Sequence, residues 1–133
     1  MANLFRVLVP VTDIEAGVRF YGEVLEATGK RVSPGRHYFD CGGTILACFD
    51  PEADGEGRVA SPNPESIYLA VSDLEKTYRL CESAGATFPS GSPPGVGPLA
   101  EIAERPWGET SFYVVDPYGN DLCFVSEESV FRG

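Results

Sequence analysis

Hydrophobic and polar positions change period several times along this chain, and the changes come twice in the same order. Residues 4–11 are apolar except for Arg6, with Pro10 near the end where a missing donor is tolerated, and they predict a strand. Thr12-Asp13-Ile14-Glu15 then has the capping-box form, with Thr at the N-cap and Glu three residues later. Ile14, Val18, Tyr21 and Leu25 recur at steps of four, three and four, giving the apolar stripe of a helix that Gly29 is expected to stop. Further apolar runs predict strands at 30–33, 36–41 and 44–49, the last two joined at Gly42-Gly43.

From Asp50 to Glu65 the residues become mostly Pro, Gly, Asp, Glu and Ser, as in a linker. A strand over 66–71 follows, and Ser72-Asp73-Leu74-Glu75 repeats the capping-box spacing. Leu74, Tyr78 and Cys81 make its stripe, and Gly85 its stop. A Pro- and Gly-rich loop, Pro89 to Pro98, is expected to cover or rim something. After a strand at about 100–105 comes a hairpin through Asp116-Pro117-Tyr118-Gly119. Asp and Pro suit the first two places of a type I turn there, and Gly119 supplies the left-handed residue. The helix starts align at a shift of 60 residues and the hairpins at 76, which pairs Asp40 with Asp116, Leu46 with Leu122 and His37 with Tyr113.

Each half therefore reads β-α-β-β-β. A half of this size cannot bury both its helix and the other face of its sheet alone, so the two must associate. The expected fold is α+β: two βαβββ modules in tandem forming a curved mixed sheet around a cleft, with the helices outside. Module 1 spans about 1–50, a linker about 51–65 and module 2 about 66–133 of one domain.

Composition narrows the partners. Twenty acidic against ten basic residues give a net charge of -10, which argues against nucleic acid and anionic membranes. The hydrophobic fraction of 43% suits a soluble globular protein, and no apolar run is long enough to span a bilayer. The opening residues lack the basic-then-apolar form of a secretory leader. Cys41, Cys48, Cys81 and Cys123 fall inside strand-like or helix-like runs and form no C-x-x-C pair, so they read as reduced thiols of a cytoplasmic protein.

The doubled plan, the helix starts at Thr12-Asp13 and Ser72-Asp73 and the Asp116-Pro117-Tyr118-Gly119-Asn120 turn resemble the vicinal oxygen chelate superfamily, which contains glyoxalases, extradiol dioxygenases and bleomycin-resistance proteins. The likeness spans nearly the whole chain. Pro106-Trp107-Gly108 is most similar to the bleomycin-resistance branch, which implies antibiotic resistance by sequestering a small aromatic or heterocyclic molecule. It also implies a homodimer whose ligand grooves include both subunits. Enzymes of the superfamily hold one divalent metal on four strands. Carried over to this chain, the ligand positions are Arg6, Ala47, Ser66 and Cys123. They offer a cation, a methyl, a hydroxyl and one thiol, whereas a catalytic zinc needs about three Cys, His or carboxylate ligands and magnesium or manganese wants oxygens. The expectation is a protein without metal, cofactor or catalytic residue.

Strand alternation places Leu8, Ile45, Phe49, Tyr68, Asp121 and Val125 on the same surface as those four positions. Arg6, Phe49, Tyr68, Trp107, Tyr113 and Cys123 are the candidate ligand-binding residues. Phe49, Tyr68 and Trp107 could grip a planar ring, yet each also suits ordinary packing. Arg6 could pair with an anionic ligand group or with a buried acid such as Asp121, and could lower the Cys123 pKa. Two other readings stand beside this one. The first is an enzyme, either a metal-dependent lyase, isomerase or dioxygenase or a metal-free one using Cys123, His37 or Tyr113. The second is a non-catalytic scaffold.

Overall fold

A computed structural model describes residues 1–133. The chain folds as two compact units, 1–63 and 64–133. The first contains β1 (Arg6–Pro10), α1 (Ile14–Leu25), β2 (Lys30–Ser33), β3 (Arg36–Cys41) and β4 (Thr44–Phe49). The second contains β5 (Ile67–Val71), α2 (Leu74–Ala84), β6 (Ala103–Glu104), β7 (Thr110–Val115) and β8 (Asp121–Ser126), followed by a 3-10 turn at Glu127–Ser129. Each unit has one four-stranded mixed sheet, ordered β1-β4-β3-β2 and β5-β8-β7-β6. In each, the first strand runs parallel to the last and the other neighbours are antiparallel. The βαβββ plan is thus present twice.

The helices begin one residue later than the capping boxes suggest. Asp13 has the extended backbone of an N-cap, and its carboxylate accepts from Ala16 N at 3.1 Å. Asp73 does the same for Lys76 N at 3.1 Å. Glu15 and Glu75 then lie in the first turn, where they favour the helix dipole but cannot close a box. With this start, α1 buries Ile14, Gly17, Phe20, Tyr21 and Val24, and Val18 and Leu25 are only half-buried. The helix ends at Glu26, a left-handed residue at φ 54, rather than at Gly29. Gly29 is needed for close approach: at φ +62, a Cβ there would lie 2.6 Å from Tyr38 O and 2.8 Å from Phe39 Cδ1. In the second unit Gly85 does cap α2, whose buried residues are Leu74, Thr77 and Cys81, with Tyr78 half-buried.

Helix α1 packs on β3 and β4, and α2 on β7 and β8. Val9, Phe39, Leu46 and Cys48 fill the helix side of the first sheet. In the second, Tyr78 meets Phe112 edge-on at 5.0 Å between ring centroids, and Phe112 stacks on Phe124 at 5.5 Å. All four cysteines are free, and all but Cys41 are buried.

Three boundaries move for local reasons. The expected linker is partly structural, because Asp54 turns back to accept Gly35 N at 2.6 Å and Ser33 Oγ at 3.0 Å, and Asn63 Nδ2 donates to Leu8 O at 3.0 Å. The strand expected at 100–105 shrinks to two residues, since Arg105 opens a turn in which its carbonyl accepts from Gly108 N at 2.8 Å. The third change concerns the repeat. The β3–β4 hairpin closes two residues between Cys41 and Thr44, whereas the β7–β8 hairpin closes five between Val115 and Asp121. The longer loop shifts β7 by one residue, so the partner of Cys123 is Tyr113 while that of Ala47 is Tyr38. Tyr113 therefore matches Tyr38, and His37 takes the helix side with Phe39.

Candidate functional site

Register and alternation assign the side chains on the sheet faces turned away from the helices. In the first unit they form three rows: Arg6, Ile45 and Asp40; Leu8, Ala47 and Tyr38; Pro10, Phe49 and Arg36. In the second unit Tyr68, Cys123 and Tyr113 form one row, and Ala70, Val125, Ser111 and Ala103 the next. Asp121 stands beside Val115 in the row before.

The first face is a set of arginines laid on aromatic rings. Arg6 is exposed, its guanidinium lying 5.0 Å from the Phe5 centroid and 5.5 Å from that of Tyr38, and it makes no ion pair. Phe49 is buried under two guanidinium groups, Arg36 at 4.3 Å and Arg58 at 5.6 Å. Such contacts are each worth about 0.5–2 kcal/mol, and more as they are desolvated. Arg36 approaches one acid, Asp54, with Nε to Oδ2 at 3.7 Å.

The second face is a polar strip on a buried cation. Tyr68 is 58% exposed and meets Tyr113 edge-on at 6.5 Å. Cys123 is buried, and burial raises its thiol pKa, opposed in part by hydrogen bonds with Ser111 and Tyr113 and by the charge of Arg105. The Tyr113 hydroxyl is also pushed up, first by burial and then by Cys123 and Tyr68. Both groups are therefore protonated near neutral pH: a thiol and a phenol, neither of them an activated nucleophile. The cation near Cys123 is Arg105, whose guanidinium lies 5.2 Å from the Tyr113 centroid.

Arg105 is only 2% exposed and has no carboxylate partner. Its Nε donates to Ser111 Oγ at 2.9 Å, Nη1 to Val96 O at 3.2 Å and Pro98 O at 2.8 Å, and Nη2 to Glu101 O at 3.1 Å and Ser111 O at 2.9 Å. Every guanidinium donor meets a neutral oxygen, so the loop preceding β6 is wrapped around this side chain. The one signal for it in the sequence is its place just before Pro106-Trp107.

Trp107 stands apart from these rows. It lies in the turn after Arg105, 37% exposed, with Nε1 donating to Glu109 Oε1 at 2.8 Å. Glu109 Oε2 accepts Phe131 N at 2.9 Å, so this carboxylate ties the turn to the segment after β8. His37 is 8% exposed; its Nε2 donates to Thr28 O at 2.8 Å, which fixes the loop after α1, and its cross-strand partner on the helix side is the buried Cys48. A separate concavity of about 700 Å³ near the end of α1 is lined by Gly22, Glu26, Ala27, Thr28, Gly29 and Asp40, with no aromatic side chain among them.

The residues present do not suit a divalent metal. Ala47 presents a methyl, Arg6 a cation and Cys123 a buried neutral thiol, and no three His, Cys, Asp or Glu side chains anywhere in the chain are grouped to hold an ion. Among the candidates, the fold brings Tyr68, Tyr113 and Cys123 together and places Phe49 under Arg36 and Arg58. It leaves Trp107 in its own turn.

The family model described as Glyoxalase/Bleomycin resistance protein/Dioxygenase superfamily matches residues 3–124. Among solved structures, a glyoxalase/bleomycin resistance protein from Albidiferax ferrireducens has a TM-score of 0.70 at 19% identity, over 91% of this chain and 95% of its own. A glyoxalase/bleomycin resistance protein/dioxygenase family enzyme from Burkholderia phytofirmans also reaches 0.70 at 19%, over 94% and 98%. A glyoxalase-related enzyme from Fulvimarina pelagi gives 0.68 at 21%, over 100% and 94%. Comparison with curated proteins returned no match.

Proposed function

We propose, from the premise that this chain belongs to the glyoxalase/bleomycin resistance protein/dioxygenase superfamily, that it binds a small aromatic or heterocyclic molecule without a metal and leaves it unchanged. One observation carries this reading. The positions at which the superfamily resemblance expects metal ligands hold Arg6, Ala47, Ser66 and Cys123, and Cys123 is a buried thiol held protonated beside Tyr113. A metal-bound reaction needs charged or lone-pair donors there, and a thiol-based one needs a thiolate. The row Tyr68, Cys123 and Tyr113 instead supports contact with a flat ring, because Tyr68 is largely exposed and Tyr113 stands edge-on beside it. A second copy of the chain as homodimer partner and a role in antibiotic resistance belong to the same proposal. No helix is long and apolar enough to cross a membrane.

The test combines metal content with ligand screening. Protein purified without chelator and exposed to Zn, Mn, Ni and Fe(II) is expected to retain far less than one metal per chain by mass spectrometry. A panel of aromatic and heterocyclic compounds is then screened by thermal shift, and each binder is recovered and checked for chemical change. Stoichiometric metal, or turnover of a bound compound, would overturn the proposal.

A further inference from the structure

Resting on the binding role just proposed, we infer that the ligand carries an oxyanion, a carboxylate or phosphate group, and that Arg36 with Arg58 beside it holds that group. The Arg36 side chain is 27% exposed and lies on the Phe49 ring, its register partner across β3 and β4. That contact holds the guanidinium over the ring at 4.3 Å from its centroid. Asp54 comes no closer than 3.7 Å, beyond hydrogen-bond reach, and both of its oxygens already accept from Gly35 N and Ser33 Oγ. Arg36 thus has an ion pair with Asp54 but no hydrogen bond within the chain.

Arg105 is the internal contrast, since its five donors all meet oxygens of the fold. No Arg36 nitrogen is both buried and without a partner, so its donors reach solvent, and an oxyanion there would replace water. A second cation shares the ring. Arg58 lies 5.6 Å from the same centroid and spends one nitrogen on Glu56, at 3.3 Å. Asp54 and Glu56 each face one of these cations, and an anion held between their remaining donors would meet both guanidinium groups at once. The fork of a guanidinium matches two oxygens of a carboxylate or phosphate. The setting is selective, because a chain with a net charge of -10 otherwise repels anions.

The full-length protein is titrated calorimetrically with benzoate, phenyl phosphate, benzylammonium and benzyl alcohol. The expected result is that benzoate or phenyl phosphate binds more tightly than the cation and the neutral alcohol, and that added chloride weakens it. The better of the two anions identifies carboxylate or phosphate as the preferred group. Arg36→Gln and, separately, the more exposed Arg58→Gln are each expected to weaken that binding by about tenfold or more while thermal unfolding stays cooperative. Should Arg36→Gln fail to fold, Arg58→Gln carries the test. Equal affinity for benzylammonium or benzyl alcohol, or unchanged anion affinity in a folded variant, would refute the anion site and leave the binding role standing. No binding by any of the four probes would refute the anion site, and the thermal-shift panel then judges the binding role separately.

Discussion

Replacing Arg105 by Met keeps the length of the side chain and removes all five of its donors. Ser111 Oγ and the carbonyls of Val96, Pro98, Glu101 and Ser111 then lose a partner. Each orphaned buried acceptor costs about 1–3 kcal/mol; the two on Ser111 are buried and the other three part-buried, so the loss falls short of five full penalties. The carbonyls of Val96, Pro98 and Glu101 are only part-buried, so a small shift of the loop over 96–101 lets water reach them. Against this, a guanidinium buried without a carboxylate carries a desolvation penalty of several kcal/mol that Met does not. The remainder is a destabilisation of about 3–5 kcal/mol. For a chain of this size that lowers the melting temperature by about 10–15 °C. Arg105→Lys keeps the charge, but three donors at one point cannot span five acceptors, and it should cost roughly 2 kcal/mol or more. Urea unfolding at equal m-value measures both, and amide exchange over 96–101 should quicken first. A Met variant as stable as the parent, or more so, would mean that desolvation outweighs the five hydrogen bonds and would refute this account.

The buried thiols predict an alkaline limit. Burial pushes Cys81 up to about 12 from its ordinary value of 9.0, and raises Cys41, Cys123 and Tyr113 as well. A group raised on folding contributes fully below its unfolded pKa and loses that contribution above it, so stability should fall from about pH 9 upward by roughly 1.4 kcal/mol per pH unit for each such thiol. Urea midpoints that stay level between about pH 8 and about pH 10.5 would contradict this. Asp13→Ala should cost about 1 kcal/mol by losing the α1 cap, whereas Thr12→Ala should be close to neutral in the same denaturation assay. Gly29→Ala should cost several kcal/mol, because its Cβ would meet Tyr38 O, while Gly42→Ala, which meets open space, should cost only about 1 kcal/mol for its positive φ. Thermal unfolding of the two glycine variants side by side reads that difference.

Much of the fold was legible because punctuation and period agreed. Gly42-Gly43 separates two alternating runs, and the strands 36–41 and 44–49 fall where those runs lie. The repeat shifts also carry over: Val7 pairs with Leu46 and Ile67 with Leu122, one register in both units. What failed was the part set by loop length and backbone angle. Three extra residues between β7 and β8 moved the partner of Cys123, so that Tyr38 rather than His37 corresponds to Tyr113, and no periodicity records such a slip. Thr12 and Asp13 are both good caps, and only the extended dihedrals at Asp13 decide between them. Nothing in the pattern around Arg36, Arg58 and Arg105 marks their roles, since the ring or carbonyls that receive each come from elsewhere in the chain. A buried and an exposed arginine look alike in a hydropathy pattern.

The pairing of each first strand with its last has a consequence for how the chain is made. β1 must wait for β4, and β5 has no sheet neighbour until β8, which begins about fifty residues after β5 ends, has been synthesised. Loop closure over such separations precedes its reward in contacts, so each unit should form late and in one step, with a transition state that already contains the β1–β4 or β5–β8 ladder. During synthesis, the apolar strand Ile67–Val71 is therefore an unpaired segment for as long as residues up to 126 are missing. Chaperone capture of ribosome-bound chains should be strongest in that interval and end once β8 is released.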